Sequence, residues 1–509
     1  MSRVITDYLD EIVHKFPNKV AFQDKNREIT FKDLQMESYH IAQAIINTKI
    51  NKEPVVIFLD KGVECIVGFL GVLYSGNYYT PIDTNMPITR IERILEVLKP
   101  SIVITDNKNL NKVKEICGNV KIIIMEEELK NSYTEISIYK AVKKVIDTDI
   151  LYVLFTSGST GKPKGVVISQ RSMMNYIDWA IETYKINETF NFGSQSPFYF
   201  CMSVLEIFAT LKSGCTTFII PQMYFVFPKK LLEYIKEKQI NIIYWVPSAL
   251  NLIVNMSGFE KYDISCLKWV LFSGEVMPVK TLNMLRKVLP DSKFVNVYGP
   301  TELTADVTYY IVDREFKETE TLPIGIPCVN SEIILLDENN NKVLDGNMGE
   351  LCVRGSLLAY GYYGEEEKTN KVFVQNPLNK NYPEKIYRTG DLAYFNTYGE
   401  LEFAGRKDFQ IKHMGHRIEL GEIEANVSSI NGIKENCCLY NLESKEIVLF
   451  FSGEIDENIL IDKLNELLPK YMIPNKRYLL KKMPHNVNGK IDRASLKLKM
   501  EELNGRKNY

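Results

Sequence analysis

The stretch Leu151–Val166, LYVLFTSGSTGKPKGV, constrains the rest of the chain more than any other. Leu151–Phe155 is a short apolar run with two aromatics and a β-branched residue, the pattern of a buried strand. It breaks into Thr156, Ser157, Gly158, Ser159, Thr160 and Gly161, then Lys162, Pro163, Lys164 and Gly165, before a second apolar run at Val166–Ile168. Hydroxyls, unhindered backbone N–H groups and two lysines in one turn supply donors and positive charge without side-chain bulk, which is what a triphosphate needs. The loop is not of the G-x-x-x-x-G-K-S/T kind. Thr156 stands where the first glycine belongs, Pro163 replaces the magnesium-binding hydroxyl, and the flanks predict strand–loop–strand.

At 509 residues the chain exceeds one ordinary core, and two or more domains are expected. Hydrophobic residues at 45% and charged residues at 25% fit a globular protein. A net charge of −2 offers no field for nucleic acid or an anionic membrane, and neither is expected as a partner. No apolar run reaches the roughly 18 residues that span a bilayer. The N-terminal MSRVITDYLDEIVHKFPNK alternates charge and apolar residues as an amphipathic helix does and lacks a signal-peptide core, so a cytoplasmic protein is expected. Nine cysteines at irregular spacing and five histidines without metal-ligand spacing predict free thiols and no structural zinc.

Along the chain, ITFKDL leads into a helical pattern through Ile46, followed by a strand at Val55–Leu59, a helix at Gly62–Tyr74, a strand at Tyr78–Ile82, a helix at Ile88–Leu98 and a strand at Ile102–Thr105. A comparable alternation runs from about Arg171 to Val307. Strands alternating with helices predict parallel sheets with right-handed crossovers, here in two α/β halves. From about Leu322 the texture becomes Gly/Asn-rich with short strands and the turn signals DENNN and DGN, which predicts a smaller β-rich unit. After Ile411 an α/β pattern returns in a tail the size of one small domain, with the boundary expected in the polar turn GRKD at 405–408.

Further segments carry polar chemistry. In Asn296–Glu302, NVYGPTE, the Gly299-Pro300 pair forces a turn with Tyr298 on one side and Thr301 and Glu302 on the other. In YRTGDL, Asp391 follows a glycine turn and can accept two hydroxyl donors at once. GRKDFQIKHMGHRIELGEIE holds Asp408 near its start and Gly415 at a hairpin tip, and NGKID projects Lys490 from a turn at Gly489. Read one at a time, these also fit a tyrosine corner with a surface glutamate, a turn aspartate, a charged surface loop and a solvated lysine.

Taken together and in this order, with the loop matching TSG-S/T-TG-x-PKG, the segments resemble the adenylate-forming superfamily. That family comprises acyl-CoA synthetases, luciferases and the adenylation domains of nonribosomal peptide synthetases. The resemblance runs from about residue 29 to 493 and includes GELCVRGSLLAYG, LGVLYSGNYYTPID and LPKYMIP. It implies a large N-terminal domain at 1–407 and a mobile α+β C-terminal domain at 408–509. It implies ATP and Mg2+, with Thr156–Gly161, Lys162 and Lys164 at the phosphates, and Gly274, Glu275, Asn296 and Tyr298 at the adenine. Asp391 and Arg406 are then expected at the ribose, Thr301 and Glu302 at the α-phosphate and magnesium, and Asp408 at the hinge. Lys490 would neutralise charge as carboxylate oxygen attacks phosphorus, where both reactants are anionic. A hinge has a chemical purpose: two half-reactions share one pocket, and turning a small domain exchanges its lining.

Family members that activate amino acids read F-D-x-S where this chain reads Phe200-Cys201-Met202-Ser203. A neutral Cys201 is a poor partner for a buried ammonium, which costs several kcal/mol to desolvate unpaired. The other pocket positions implied by the resemblance are Met202, Leu205, Tyr244, Leu271, Ser273, Val297, Ala305 and Asp306, mostly apolar. The expected substrate is a carboxylic acid without a free α-amino group, such as an aryl acid whose hydroxyl or amine meets Asp306. The expected acceptor is the phosphopantetheine thiol of a separate carrier protein, as for a stand-alone enzyme of the D-alanine–carrier-protein ligase kind. Coenzyme A, an amino-acid substrate and a non-catalytic nucleotide-binding protein are the alternatives.

Overall fold

Strands that are apolar on both faces belong inside parallel sheets, and Pro54–Phe58 and Ile102–Thr105 are buried along their whole length. In the computed structural model, which describes residues 2–158, 162–256, 258–344, 346–485 and 491–505, both lie in a seven-stranded sheet. Its order is Gly361–Tyr362, Lys164–Ser169, Ile150–Thr156, Tyr78–Pro81, Pro54–Phe58, Ile102–Thr105 and Lys121–Ile124. Helix Val63–Tyr74 is buried at every residue but Glu64, as its run of apolar residues and glycines from Cys65 requires, and packs on helix Phe31–Ile46, whose Thr30 caps it by accepting the N–H of Asp33.

The second sheet has nine strands, in the order Ile326–Pro327, Thr308–Ile311, Lys293–Tyr298, Trp269–Phe272, Ile242–Trp245, Asn191–Ser194, Thr216–Ile219, Val20–Gln23 and Glu28–Thr30. Its middle is parallel and its ends are closed by antiparallel pairs. The α/β halves are therefore not consecutive in sequence: the N-terminal hairpin 20–30 pairs through Val20–Gln23 with Thr216–Ile219 and belongs to the later half. A separate five-stranded antiparallel sheet is built from Ser331–Leu336, Gly349–Gly355, Phe373–Gln375, Lys385–Phe395 and Leu401–Arg406. The expected turn at 405–408 is shorter than its composition suggests, because Gly405 and Arg406 stay in the ladder opposite Leu392 and Asp391.

The chain divides into two compact units: 1–84, 97–155 and 165–407; and 85–96, 156–164 and 408–509. The second contains the hairpin Gln410–His413/His416–Glu419, helix Leu420–Ser428 and a three-stranded sheet of Ile433–Asn441, Glu446–Gly453 and Lys476–Leu479. Met414 and Gly415, both at positive φ, make the hairpin tip. No helix among the described residues is long and apolar enough to cross a membrane.

Candidate active site

In the first unit, strands Ile242–Trp245, Trp269–Phe272 and Lys293–Tyr298 run parallel with Tyr244 opposite Leu271 and Leu271 opposite Val295. Side chains in register share a face and alternate along each strand. Tyr244, Leu271, Val295 and Val297 thus face the larger core, while Ile243, Trp245, Val270 and Phe272 fill a second core on the other face. Ser273 extends the first face just beyond its strand, and Leu205 of helix Ser203–Ser213 packs into the same core with Met202 and Ala305. Phe200 and Cys201 are half-buried in the loop before that helix.

Asp306 is the polar centre of this region. It is 2% exposed, and it accepts the hydroxyl of Tyr244 on Oδ1 and that of Tyr176 on Oδ2, each at 2.6 Å. Burial, and next the Asp306 charge, pushes both phenols well above their usual range, so they stay donors. Tyr176 sits in helix Gln170–Tyr184, outside every recognisable motif, and its place in the helical period says only that it points inward.

One turn joins this region to the groups expected at the phosphate. A Cβ on Gly299 would lie 2.2 Å from the Ala305 carbonyl oxygen, so only glycine lets the chain fold back here. Thr304 holds φ +70°, a costly conformation for a β-branched residue, and anchors it by donating to the Leu357 carbonyl at 2.8 Å. Inside the turn Glu302 is fully buried and accepts the Tyr362 hydroxyl at 2.7 Å. The Thr301 hydroxyl reaches the Cys201 sulfur at 3.5 Å, bringing the two sequence motifs together. Tyr362 lies one residue beyond the segment GELCVRGSLLAYG and in no motif, so its contact with Glu302 had no separate signal.

Beside them Tyr298 donates to Asp391 Oδ2 and Arg406 to Asp391 Oδ1, in a cluster where Asp391 is 2% exposed. The Asn296 amide nitrogen donates to the Pro323 carbonyl at 2.8 Å, which leaves its carbonyl oxygen as the acceptor end. Gly274 sits at φ +87°, and Glu275 accepts the Ser248 N–H at 2.9 Å.

The second unit contains the loop 156–164. A Cβ on Gly158 would fall 2.0 Å from the Lys162 carbonyl oxygen, so the loop doubles back too tightly for any side chain there. Its donors are in use: Ser157 Oγ donates to the Arg417 carbonyl at 2.9 Å, Gly158 N–H to Glu422 at 3.3 Å, and Lys164 pairs with Glu419 at 3.6 Å. Glu422 is buried and paired with Arg90, and burial raises its carboxyl. Lys162 is exposed, and Asp408 is exposed with its carboxylate accepting the Gln410 N–H at 3.2 Å. Ser159, Thr160, Gly161 and Lys490 lie outside the described residues.

The His416 ring is stacked on Tyr471 with centroids 3.4 Å apart. Burial first, then His413 and Arg90, lowers its pKa from 6.5 to about 3. Between those values the unfolded chain binds a proton that the folded chain does not, so this group makes stability fall as pH falls through that window. His416→Phe keeps a ring on Tyr471 and is expected to flatten the loss between about pH 7 and about pH 5, read from denaturation midpoints. Parallel curves for variant and wild type would show that His416 does not contribute.

Over residues 9–363 the sequence matches the AMP-binding enzyme family. Among its relatives is zwittermicin A synthase ZmaJ of Bacillus cereus, 33% identical over 98% of this chain and 95% of that protein. Another is the D-alanine–D-alanyl carrier protein ligase of Listeria monocytogenes serotype 4b, 31% identical over 97% of this chain and 99% of that protein. The holo form of PA1221, a nonribosomal peptide synthetase protein with adenylation and PCP domains, shares the fold at a TM-score of 0.83 and 21% identity, over 97% of this chain and 84% of that one. The fold and this set of motifs are those of an adenylate-forming ligase. The chain belongs to the AMP-binding enzyme family.

Proposed function

We propose that the protein activates a carboxylic acid without a free α-amino group as its acyl adenylate and passes the acyl group to the phosphopantetheine thiol of a separate carrier protein. In the first step a carboxylate oxygen bonds to the α-phosphorus of ATP and pyrophosphate leaves. In the second a thiolate sulfur bonds to the acyl carbon and AMP leaves. The observation that carries this reading is the turn at 299–306, where Thr301 and Glu302 on the phosphate side and Asp306 on the acid side share one rigid element.

The nucleotide roles extend from the same geometry. The acceptor end of Asn296 suits an adenine amino group, Tyr298 an adenine face, and the Asp391–Arg406 pair the ribose. The phosphates belong to the loop 156–164. Mg2+ is commonly held by one or two carboxylates together with substrate phosphates and waters. Glu302, a buried carboxylate oriented by the Tyr362 hydroxyl, fits that role. The ion, once bound, supplies positive charge to the phosphates. Thr301 and Lys490 supply donors to the reacting oxygens.

For the acid, Cys201 beside Thr301 offers no charge to an α-ammonium, whereas Asp306 is a buried carboxylate held by two tyrosine hydroxyls. This supports an aryl or comparable acid whose hydroxyl or amine meets Asp306. A pyrophosphate-exchange panel tests it: exchange is expected with hydroxy- or amino-substituted benzoates and not with D- or L-alanine. The D-alanine ligase relative gives the second reading its weight, and exchange with alanine alone would replace the first. Cys201→Asp is expected to shift preference toward α-amino acids by supplying the missing charge. An unchanged panel would remove Cys201 from the specificity argument. The names of the ligase and of PA1221 support a carrier as acceptor, and loading labelled acid onto carrier or onto coenzyme A separates the two.

A further inference from the structure

A lysine and a glutamate lie within the first unit, apart from the groups already assigned. Lys61 follows strand Pro54–Phe58, and Glu206 is in the first turn of helix Ser203–Ser213, 1% exposed. Ser194, the last residue of strand Asn191–Ser194, stands between them. The Lys61 ammonium donates to the Ser194 carbonyl at 3.2 Å and lies 5.2 Å from the centre of the Phe198 ring. The Ser194 hydroxyl donates to the Glu206 carboxylate. Phe198 in turn meets Phe69 edge-on, so the cation and the apolar core grip the same stretch.

The segment bracketed by Ser194 and Glu206 is 195–205, which carries Phe200, Cys201, Met202 and Leu205. Its two ends are thus tied to each other through one serine and to a second element through Lys61. Burying a cation and an anion is a poor way to gain stability, because their desolvation offsets most of their attraction, and apolar residues of similar size serve as well or better. Helix Ser203–Ser213 fills its neighbouring positions with Val204, Ile207 and Phe208, which shows that the site could be apolar. A directional link does something an apolar contact cannot: it sets where the loop sits. Burial lowers the Lys61 ammonium and raises the Glu206 carboxyl, and the charge of each opposes the shift of the other.

We propose that Lys61, Ser194 and Glu206 form a positioning clamp that fixes loop 195–205 against the carboxylic acid and so sets which acids are accepted. These are positioning residues, and the inference rests on the adenylation reading of the pocket. A displacement of about 1 Å in a substrate-holding group can cost on the order of a hundredfold in rate. Lys61→Met is expected to raise the KM for the acid by about tenfold to a hundredfold and to broaden the exchange panel, with the KM for ATP unchanged. Lys61→Arg, which keeps a donor and a charge, is expected to restore the acid KM and the panel. Should Lys61→Met fail to fold, Ser194→Ala removes only the hydroxyl link and is expected to raise the acid KM while the KM for ATP stays unchanged. An acid KM that stays at the wild-type value in a folded variant, or acid and ATP KM values that rise together, would overturn the clamp while leaving the adenylation reading intact. Wild-type protein that exchanges with no acid would overturn both.

Discussion

Replacing Lys490 by alanine is expected to lower ATP–pyrophosphate exchange by about 10²–10³-fold while the KM for ATP and the unfolding midpoint stay where they are. Carboxylate and α-phosphate are both anionic, and a cation placed where their charges merge is worth more in the transition state than before it. The loss should therefore appear in kcat and kcat/KM alike. Transfer of the acyl group from a supplied acyl adenylate to the acceptor thiol is expected to survive, because that step has no attack on phosphorus. Full exchange in Lys490→Ala would mean that charge neutralisation comes from elsewhere. Loss of both half-reactions together would point to a damaged fold instead.

Asp391→Ala is expected to be costly in a different way. The carboxylate is buried, accepts the Tyr298 hydroxyl and pairs with Arg406, whose side chain is itself only 13% exposed. Removing it leaves a guanidinium and a phenol without their shared partner, a loss of about 3–5 kcal/mol for a broken buried pair. Chemical denaturation should show that loss in the first unit, and exchange assays should show a raised KM for ATP, since the same carboxylate is the proposed ribose acceptor. Asp391→Asn, which keeps the shape and one acceptor, is expected to lose less stability. A stable Asp391→Ala protein with normal ATP dependence would remove both roles.

Local pattern carried much of the architecture. The run IVIT reads as a strand and is one, and the capped amphipathic segment beginning at Phe31 ends at Ile46 as its period predicts. What local pattern does not carry is pairing over long separations. The short hairpin 20–30 has no feature that sends Val20–Gln23 to Thr216–Ile219, and the cross-strand contact of Asp391 with Arg406 overrides the turn composition of GRKD. The site divides along the same line. Glu302 and Asp391 stand in motifs, so they are visible in one dimension, and Asp306 is reached only by counting on from the first of those motifs. Tyr176, Tyr362 and Lys61 act by reaching across the fold, from 130, 60 and 133 residues away from Asp306, Glu302 and Ser194 respectively, and no short segment shows it. Cys201 is the converse case, legible because of the charge it does not have.

The phosphate loop raises a question of competition. Its N–H at Gly158, its hydroxyl at Ser157 and its ammonium at Lys164 are engaged by a carboxylate, a carbonyl and a second carboxylate of the chain itself. In the proposed phosphate site, an arriving polyphosphate would exchange places with a tethered rival that cannot diffuse away. On that proposal, the concentration of ATP needed for half-saturation would be the intrinsic value divided by the fraction of molecules in which that rival has let go.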